Sequence, residues 1–190
     1  MNSFVVNMPN YDLSDDQLLA LSEANDNIRI ERNSKGQIII MAPTGGFSGY
    51  RNSELNAEIG IWNRLKKTGK VFDSSTGFSL SNGAMYSPDV AWIPNAKWNK
   101  ISDSDKEKFL PLCPDFLVEL RSKTDRLKDL FEKMEEYMEC GCRLAWLIDP
   151  YNEMVYIYRK GQSRTEQTFN EKLSGEDVLV DFELNLKELF

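Results

Sequence analysis

The chain contains no histidine, and that absence removes more chemistry than any other feature of its composition. A Ser–His triad or a Cys–His pair needs an imidazole. A closed zinc site needs four Cys or His ligands, and only three cysteines exist, Cys113, Cys140 and Cys142. Any metal must therefore be held by oxygen, which selects hard ions such as magnesium, manganese or calcium. Long apolar runs are missing too: Gln37 to Ala42 and Leu144 to Ile148 fall far short of the roughly 20 residues a membrane span requires. The N-terminal stretch MNSFVVNMPNYD lacks a basic start followed by a long apolar run, so no secretory signal and a cytoplasmic location are expected. Positive charge is in deficit. A net charge of -7 counts against nonspecific nucleic-acid affinity, although it leaves room for a locally basic cleft.

What is present is a globular composition, 41% hydrophobic and 11% aromatic over 190 residues, enough for one domain with a substantial core. Ser14 and Gln17 have capping-box spacing at the head of a helix that runs to Asn25. Asn27 to Arg32 and Gln37 to Ala42 form a hairpin around Asn33 to Gly36. From about Ser48 to Lys67, Leu55, Ile59, Trp62 and Leu65 recur at helical spacing. Glu58 lies inside that apolar stripe and Glu54 on its margin. Two acids four residues apart repel unless something positive lies near, and the bland alternative is a pair with Arg51 or an outward turn. Short strands are expected at 70–73 and 77–80, then a strand Asp89 to Ile93 after Pro88.

Residues 94–112 read as a charged, irregular connector anchored by Trp98 and Phe109. A helix is expected from Thr124 or Asp125 to Glu139, with Leu127, Leu130, Phe131, Met134 and Met138 buried and Gly141 as its stop. Strands at 143–149 and 153–159, an edge strand at 165–169 and a closing helix at 184–190 complete the chain. The order predicts an α/β fold, one mixed sheet flanked by helices. It divides into an N-terminal helix and hairpin (1–42), a core (43–160) and a closing segment (161–190).

The chemistry gathers around Pro114 to Ser122, PDFLVELRS. Alternation puts Leu117, Glu119 and Arg121 on one strand face and Phe116, Val118 and Leu120 on the other. An acid and a base on an otherwise apolar strand are costly to bury without a partner, a metal or a substrate. If the Asp89 and Glu119 strands pair, about 4.8 Å apart, both carboxylates can share an ion. Asp115 is a poorer partner, because four residues of strand separate it from Glu119 by about 13 Å. Cys140-Gly-Cys142 lacks the redox Cys-x-x-Cys spacing and reads as inert thiols. Trp146, Tyr156 and Tyr158 read as sheet-face residues and not as a base-stacking platform.

The segments MAPTGGFSGYRNSELN, FDSSTGFSL, SPDVAWIP, PLCPDFLVELRS, KMEEYMECGCRLAWLIDP and VYIYRKG together resemble a bacterial family named "putative restriction endonuclease", within the PD-(D/E)xK nuclease superfamily. The resemblance covers about residues 40–160. It implies a restriction-endonuclease-like fold, magnesium (or manganese) held by Asp89 and Glu119, and help from a helix glutamate, Glu54 ahead of Glu58. It also implies DNA as substrate. The departure is at Arg121, where the superfamily motif has lysine. Arginine cannot give up its proton to act as a base, but it can clamp a phosphate.

Lys133 is the candidate for the displaced lysine. From Asp125 to Lys133 a helix rises about 12 Å, and Glu119 to Lys123 spans about 13 Å of strand, so a helix folded back along its strand brings Lys133 level with Glu119. The plainer reading is a surface lysine beside Asp129 or Glu136. Arg121, Lys123, Arg126 and Lys128 could form a local basic patch for a nucleic-acid backbone, or a solvated face. The expected activity is metal-assisted phosphodiester hydrolysis by a possible homodimer. A catalytically inactive nucleic-acid-binding or protein-interaction module with the same fold is the alternative.

Overall fold

The computed structural model describes residues 3–8, 13–25 and 27–190, so part of the N-terminal stretch lies outside the described residues. In chain order the elements are β1 (Ser3–Val6), α1 (Asp15–Glu23), β2 (Arg29–Arg32), β3 (Ile38–Met41), α2 (Gly46–Lys66), β4 (Gly69–Asp73), β5 (Phe78–Ser79), β6 (Met85–Tyr86) and β7 (Val90–Pro94). Two single-turn helices follow, α3 (Asn95–Trp98) and α4 (Asp103–Lys106), inside the segment expected to be irregular. Then come β8 (Phe116–Leu120), α5 (Leu127–Glu139), β9 (Leu144–Asp149), β10 (Met154–Arg159), β11 (Thr165–Thr168), β12 (Leu173–Ser174), β13 (Glu183–Leu184) and α6 (Leu186–Leu189).

The central sheet has six strands in the order β11-β10-β9-β8-β7-β4. Only β8 and β9 pair in parallel, because α5 carries the chain back between them; the other pairings are antiparallel. Both faces of the sheet are covered, so β8 and β9 are buried along their whole length. Phe116, Val118 and Leu120 join Leu55, Ile59 and Trp62 of α2 in the core on one face. Leu117 joins Met134 and Tyr137 of α5 on the other. The alternation along PDFLVELRS therefore sorts its side chains as expected.

The hairpin does not belong to that sheet. β2 and β3 sit in a second, five-stranded sheet of order β1-β3-β2-β6-β5, which corrects the expectation of a single mixed sheet. The reason lies in the period-2 pattern of the hairpin: Ile30 and Ile38 turn one way to bury against Leu18 of α1 and Met85, a small core of their own. The opposite face of β2, carrying Arg29 and Glu31, is left to look elsewhere.

Local signals were accurate where the chemistry is local. Ser14 caps α1 with the full capping box, its hydroxyl accepting from Gln17 N and its own N–H donating to the Gln17 side chain. Gly141, at φ +103°, stops α5 in a conformation that L side chains rarely adopt. α5 begins at Leu127, two or three residues later than the sequence predicts, because Asp125 accepts the Ser122 N–H in the preceding turn. Among the described residues, no helix is long and apolar enough to cross a membrane.

Candidate active site

β7 and β8 run antiparallel with Ala91 opposite Leu117 and Val90 opposite Val118. One further step of that register sets Asp89 across from Glu119. Asp89 Oδ2 accepts the Leu120 N–H at 2.7 Å, and its Oδ1 accepts the Asn52 amide at 2.6 Å. Burial pushes the Asp89 carboxyl above its ordinary pKa, although the Leu120 N–H, the Asn52 amide and the charge of Arg29 all favour the ionised form.

Glu119 is buried on the α5 side of the sheet. The Tyr137 hydroxyl donates to its Oε1 at 3.0 Å, and Lys133 Nζ lies 2.8 Å from the same oxygen. Lys133 therefore does come level with Glu119, with only 15% of its side chain exposed. Its Nζ also contacts both oxygens of Glu31 at 3.1 and 3.2 Å, and stands 4.8 Å from the centroid of the Tyr86 ring. Burial opposes the charge on Lys133. The two carboxylates more than offset that, and its pKa is held above the lysine range. Glu119 fares differently: burial, Asp89 and Glu31 outweigh the attraction of Lys133, and its carboxyl is pushed up to about 7. Glu119 and Glu31 share one lysine and Asp89 adds a third negative charge beside them, so acids outnumber bases around Glu119.

These groups line a half-open pocket of about 600 Å³ between the two sheets. Asp89, Glu119 and Lys133 are its floor. Arg29, Glu31, Gln37, Ile39 and Met41 of the β2–β3 hairpin form the facing wall, with Thr44, Ser48 and Asn52 from the start of α2 beside them.

The structure sets the remaining site expectations differently. Neither Glu54 nor Glu58 is among the residues lining the pocket; the α2 side chain on Asp89 is Asn52. At about 100° per residue Asn52 lies on the same side of α2 as Asn56, which donates to Phe72 O, and Asn63, which bridges to Gly69 and Trp92. A stripe of asparagines marks the inward polar edge of α2, and attention to acids alone misses it. Arg121 is not in the pocket either. It forms an ion pair with buried Asp149 at 2.7 Å and stacks over Tyr151, so its guanidinium is committed at the far side of β8. Of the bases expected to form a patch at 121–128, Arg126 pairs with Asp129 at 2.7 Å and Lys128 with Glu132 at 3.8 Å, both at the surface, and Lys123 is exposed. Asp115 is held by Lys97 at 2.7 Å, away from Glu119.

Two members of the cluster were not found by sequence reasoning. Glu31 lies 102 residues from Lys133, on a strand whose own pattern says only that it alternates. Tyr137 looks like one more apolar position of the α5 stripe. The faint signal for Glu31 is the run Arg29, Glu31 on the polar face of an otherwise apolar hairpin.

Every candidate donor here is oxygen. Among the described residues, no three His, Cys, Asp or Glu groups gather closely enough to enclose an ion by themselves. Magnesium does not require that, since it is commonly held by one or two carboxylates and completed by water and substrate oxygens. Asn52 supplies a further oxygen. Because its amide nitrogen donates to Asp89, its Oδ1 is buried with no hydrogen-bond partner. Asp89, Glu119 and this orphaned oxygen fit a hard divalent ion.

The six-stranded sheet, its crossover helix and the acids at the ends of β7 and β8 define a restriction-endonuclease-like α/β domain. The chain is similar in structure to a protein from Anabaena variabilis ATCC 29413 described as a putative nuclease belonging to DUF820, with a TM-score of 0.73 and 19% identity over 85% of this chain and 89% of that one. The Uma2 family model, described as "Putative restriction endonuclease", matches residues 15–187, and the chain belongs to that family. No curated protein matches it.

Proposed function

We propose that this protein is a metal-dependent nuclease that hydrolyses DNA phosphodiester bonds. The observation that carries the reading is the convergence of Asp89, Glu119 and Lys133, from β7, β8 and α5, on the floor of one pocket. Family membership supports the same class.

Asp89 and Glu119 would hold magnesium, or manganese in its place, with Asn52 Oδ1 as a third oxygen. The bound ion supplies an acidified water and offsets charge on the attacked phosphate. Lys133 stays protonated at neutral pH, so it orients the attacking water and neutralises charge in the transition state; it does not accept the proton. Tyr137 and Glu31 hold the reacting groups in place, one on Glu119 and the other on Lys133. Cutting both strands of a duplex takes two such sites, which a homodimer supplies.

A second reading, a catalytically silent module on the same fold, draws on the pocket lining as a whole, in which seven acids outnumber four bases and would repel a nucleic-acid backbone. The deciding experiment incubates the pure protein with plasmid, linear duplex and single-stranded DNA in magnesium or manganese, beside Asp89→Ala and Lys133→Ala. Cleavage by the wild type and not by either variant is expected. Cleavage that survives Asp89→Ala removes the site assignment, and no cleavage of any substrate favours the silent module. Magnesium should also raise the melting temperature of the wild type but not of Glu119→Ala.

A further inference from the structure

Arg29 stands on the pocket wall opposite the carboxylates, on the same face of β2 as Glu31. Its Nη2 is buried and has no hydrogen-bond partner, whereas Arg121, the arginine expected from the sequence to clamp phosphate, donates to Asp149 and to the Asp125 carbonyl and lies over the Tyr151 ring. A guanidinium nitrogen withdrawn from water and left unpaired is costly. The cost is removed when an anion arrives.

The neighbourhood says what kind of anion. Arg29 and the proposed metal ligands line the same pocket, and its charge favours the ionised form of Asp89. At a site that hydrolyses phosphodiesters, the anion that reaches Arg29 is a backbone phosphate. A tetrahedral phosphate also presents two non-bridging oxygens, which suit the guanidinium fork.

Resting on the nuclease reading, we infer that Arg29 is the phosphate-binding residue of this site, gripping a non-bridging oxygen of the nucleic-acid backbone from the second sheet while Asp89 and Glu119 work from the first. The clamp has moved from the catalytic strand to the hairpin wall, and Arg121 is left as a structural residue.

Binding is read by fluorescence anisotropy of a labelled duplex and a labelled single strand in calcium, titrated with salt between 50 and 200 mM, for the wild type, Arg29→Ala and Arg29→Lys, each checked by thermal melting. Arg29→Ala is expected to bind about tenfold more weakly, with a log–log salt slope shallower by about 0.9 on duplex or about 0.7 on single strand, the loss of one phosphate contact. Arg29→Lys keeps the wild-type slope, because the charge remains, but binds several-fold more weakly, because the fork is lost. If Arg29→Ala does not fold, the Lys variant carries the test alone. A folded Arg29→Ala with wild-type affinity and slope, or an Arg29→Lys indistinguishable from wild type, overturns the inference while the wild type's own cleavage leaves the nuclease reading standing. A wild type that neither binds nor cuts DNA overturns both.

Discussion

Two buried charge clusters flank the end of β8, and they differ in how completely they are satisfied. On one side, Asp149 receives Arg121 at 2.7 Å, the Asn152 amide at 2.7 Å and the Tyr151 N–H at 3.1 Å. One acid meets one base and two further donors, and the account closes. On the other side, Glu119 and Glu31 share Lys133 beside Asp89, while Asn52 Oδ1 and Arg29 Nη2 are buried without partners. Both clusters lie at neighbouring strand ends, and only the second has polar atoms waiting for something. A stability element uses up its hydrogen-bonding capacity, whereas a site that must receive an ion and a phosphate keeps some in reserve.

The sharpest way to break that comparison is to remove the base from each cluster. Lys133→Met should abolish cleavage and also destabilise the fold by about 3–5 kcal/mol, since it leaves two buried carboxylates facing each other. Arg121→Met should also lower stability, because Asp149 is fully buried, but cleavage per folded molecule should stay near wild type. Chemical denaturation alongside a cleavage assay reads both. An Arg121 variant that folds well and does not cut would return that residue to the site and end the distinction.

The next effect is in pH. Glu119 has its pKa raised from 4.5 to about 7, so between those values the folded chain binds more protons at this residue than the unfolded one. Stability contributed by this group is therefore present at low pH and is lost as pH rises toward 7, the reverse of an ordinary salt-bridged carboxylate. In EDTA, unfolding free energy measured from pH 4.5 to 7.5 should carry this decline in the wild type and lack it in Glu119→Gln. A wild-type profile parallel to that of the variant would mean that Glu119 is not held protonated.

The smallest expected change tests the role of the second sheet. Glu31→Gln removes one of the charges that raise Glu119, so the same decline should move to lower pH, with Lys133 then drawn to Glu119 alone. Melting curves at several pH values would show it. No displacement would make Glu31 a bystander to the carboxylates despite its contact with Lys133.

Much of this arrangement is legible in the chain. Period-2 alternation sets the faces of β8, the capping box sets the start of α1, and rise-per-residue arithmetic brings Lys133 to Glu119, a contact 14 positions apart that helix and strand geometry can measure. Two placements differ from the sequence expectation for a common reason. Chemical type favours Glu54, but the helix turns Asn52 toward Asp89 and leaves the acid outside the pocket lining. Position two residues from Glu119 favours Arg121, but its guanidinium pairs with Asp149, 28 positions away.

The sequence by itself determined what short-range geometry can encode: which residues alternate, the capped start of α1 and the glycine stop of α5, the absence of imidazole and hence an oxygen-only site. Only the tertiary structure decided the partners. Glu31 and Arg29 reach the carboxylates because a separate sheet packs its polar face over the end of the central one, and a local pattern cannot specify which distant surface a strand's polar face will meet. Buried charges choose among all the partners that folding brings near. That choice depends on desolvation and distance in three dimensions and not on spacing along the chain.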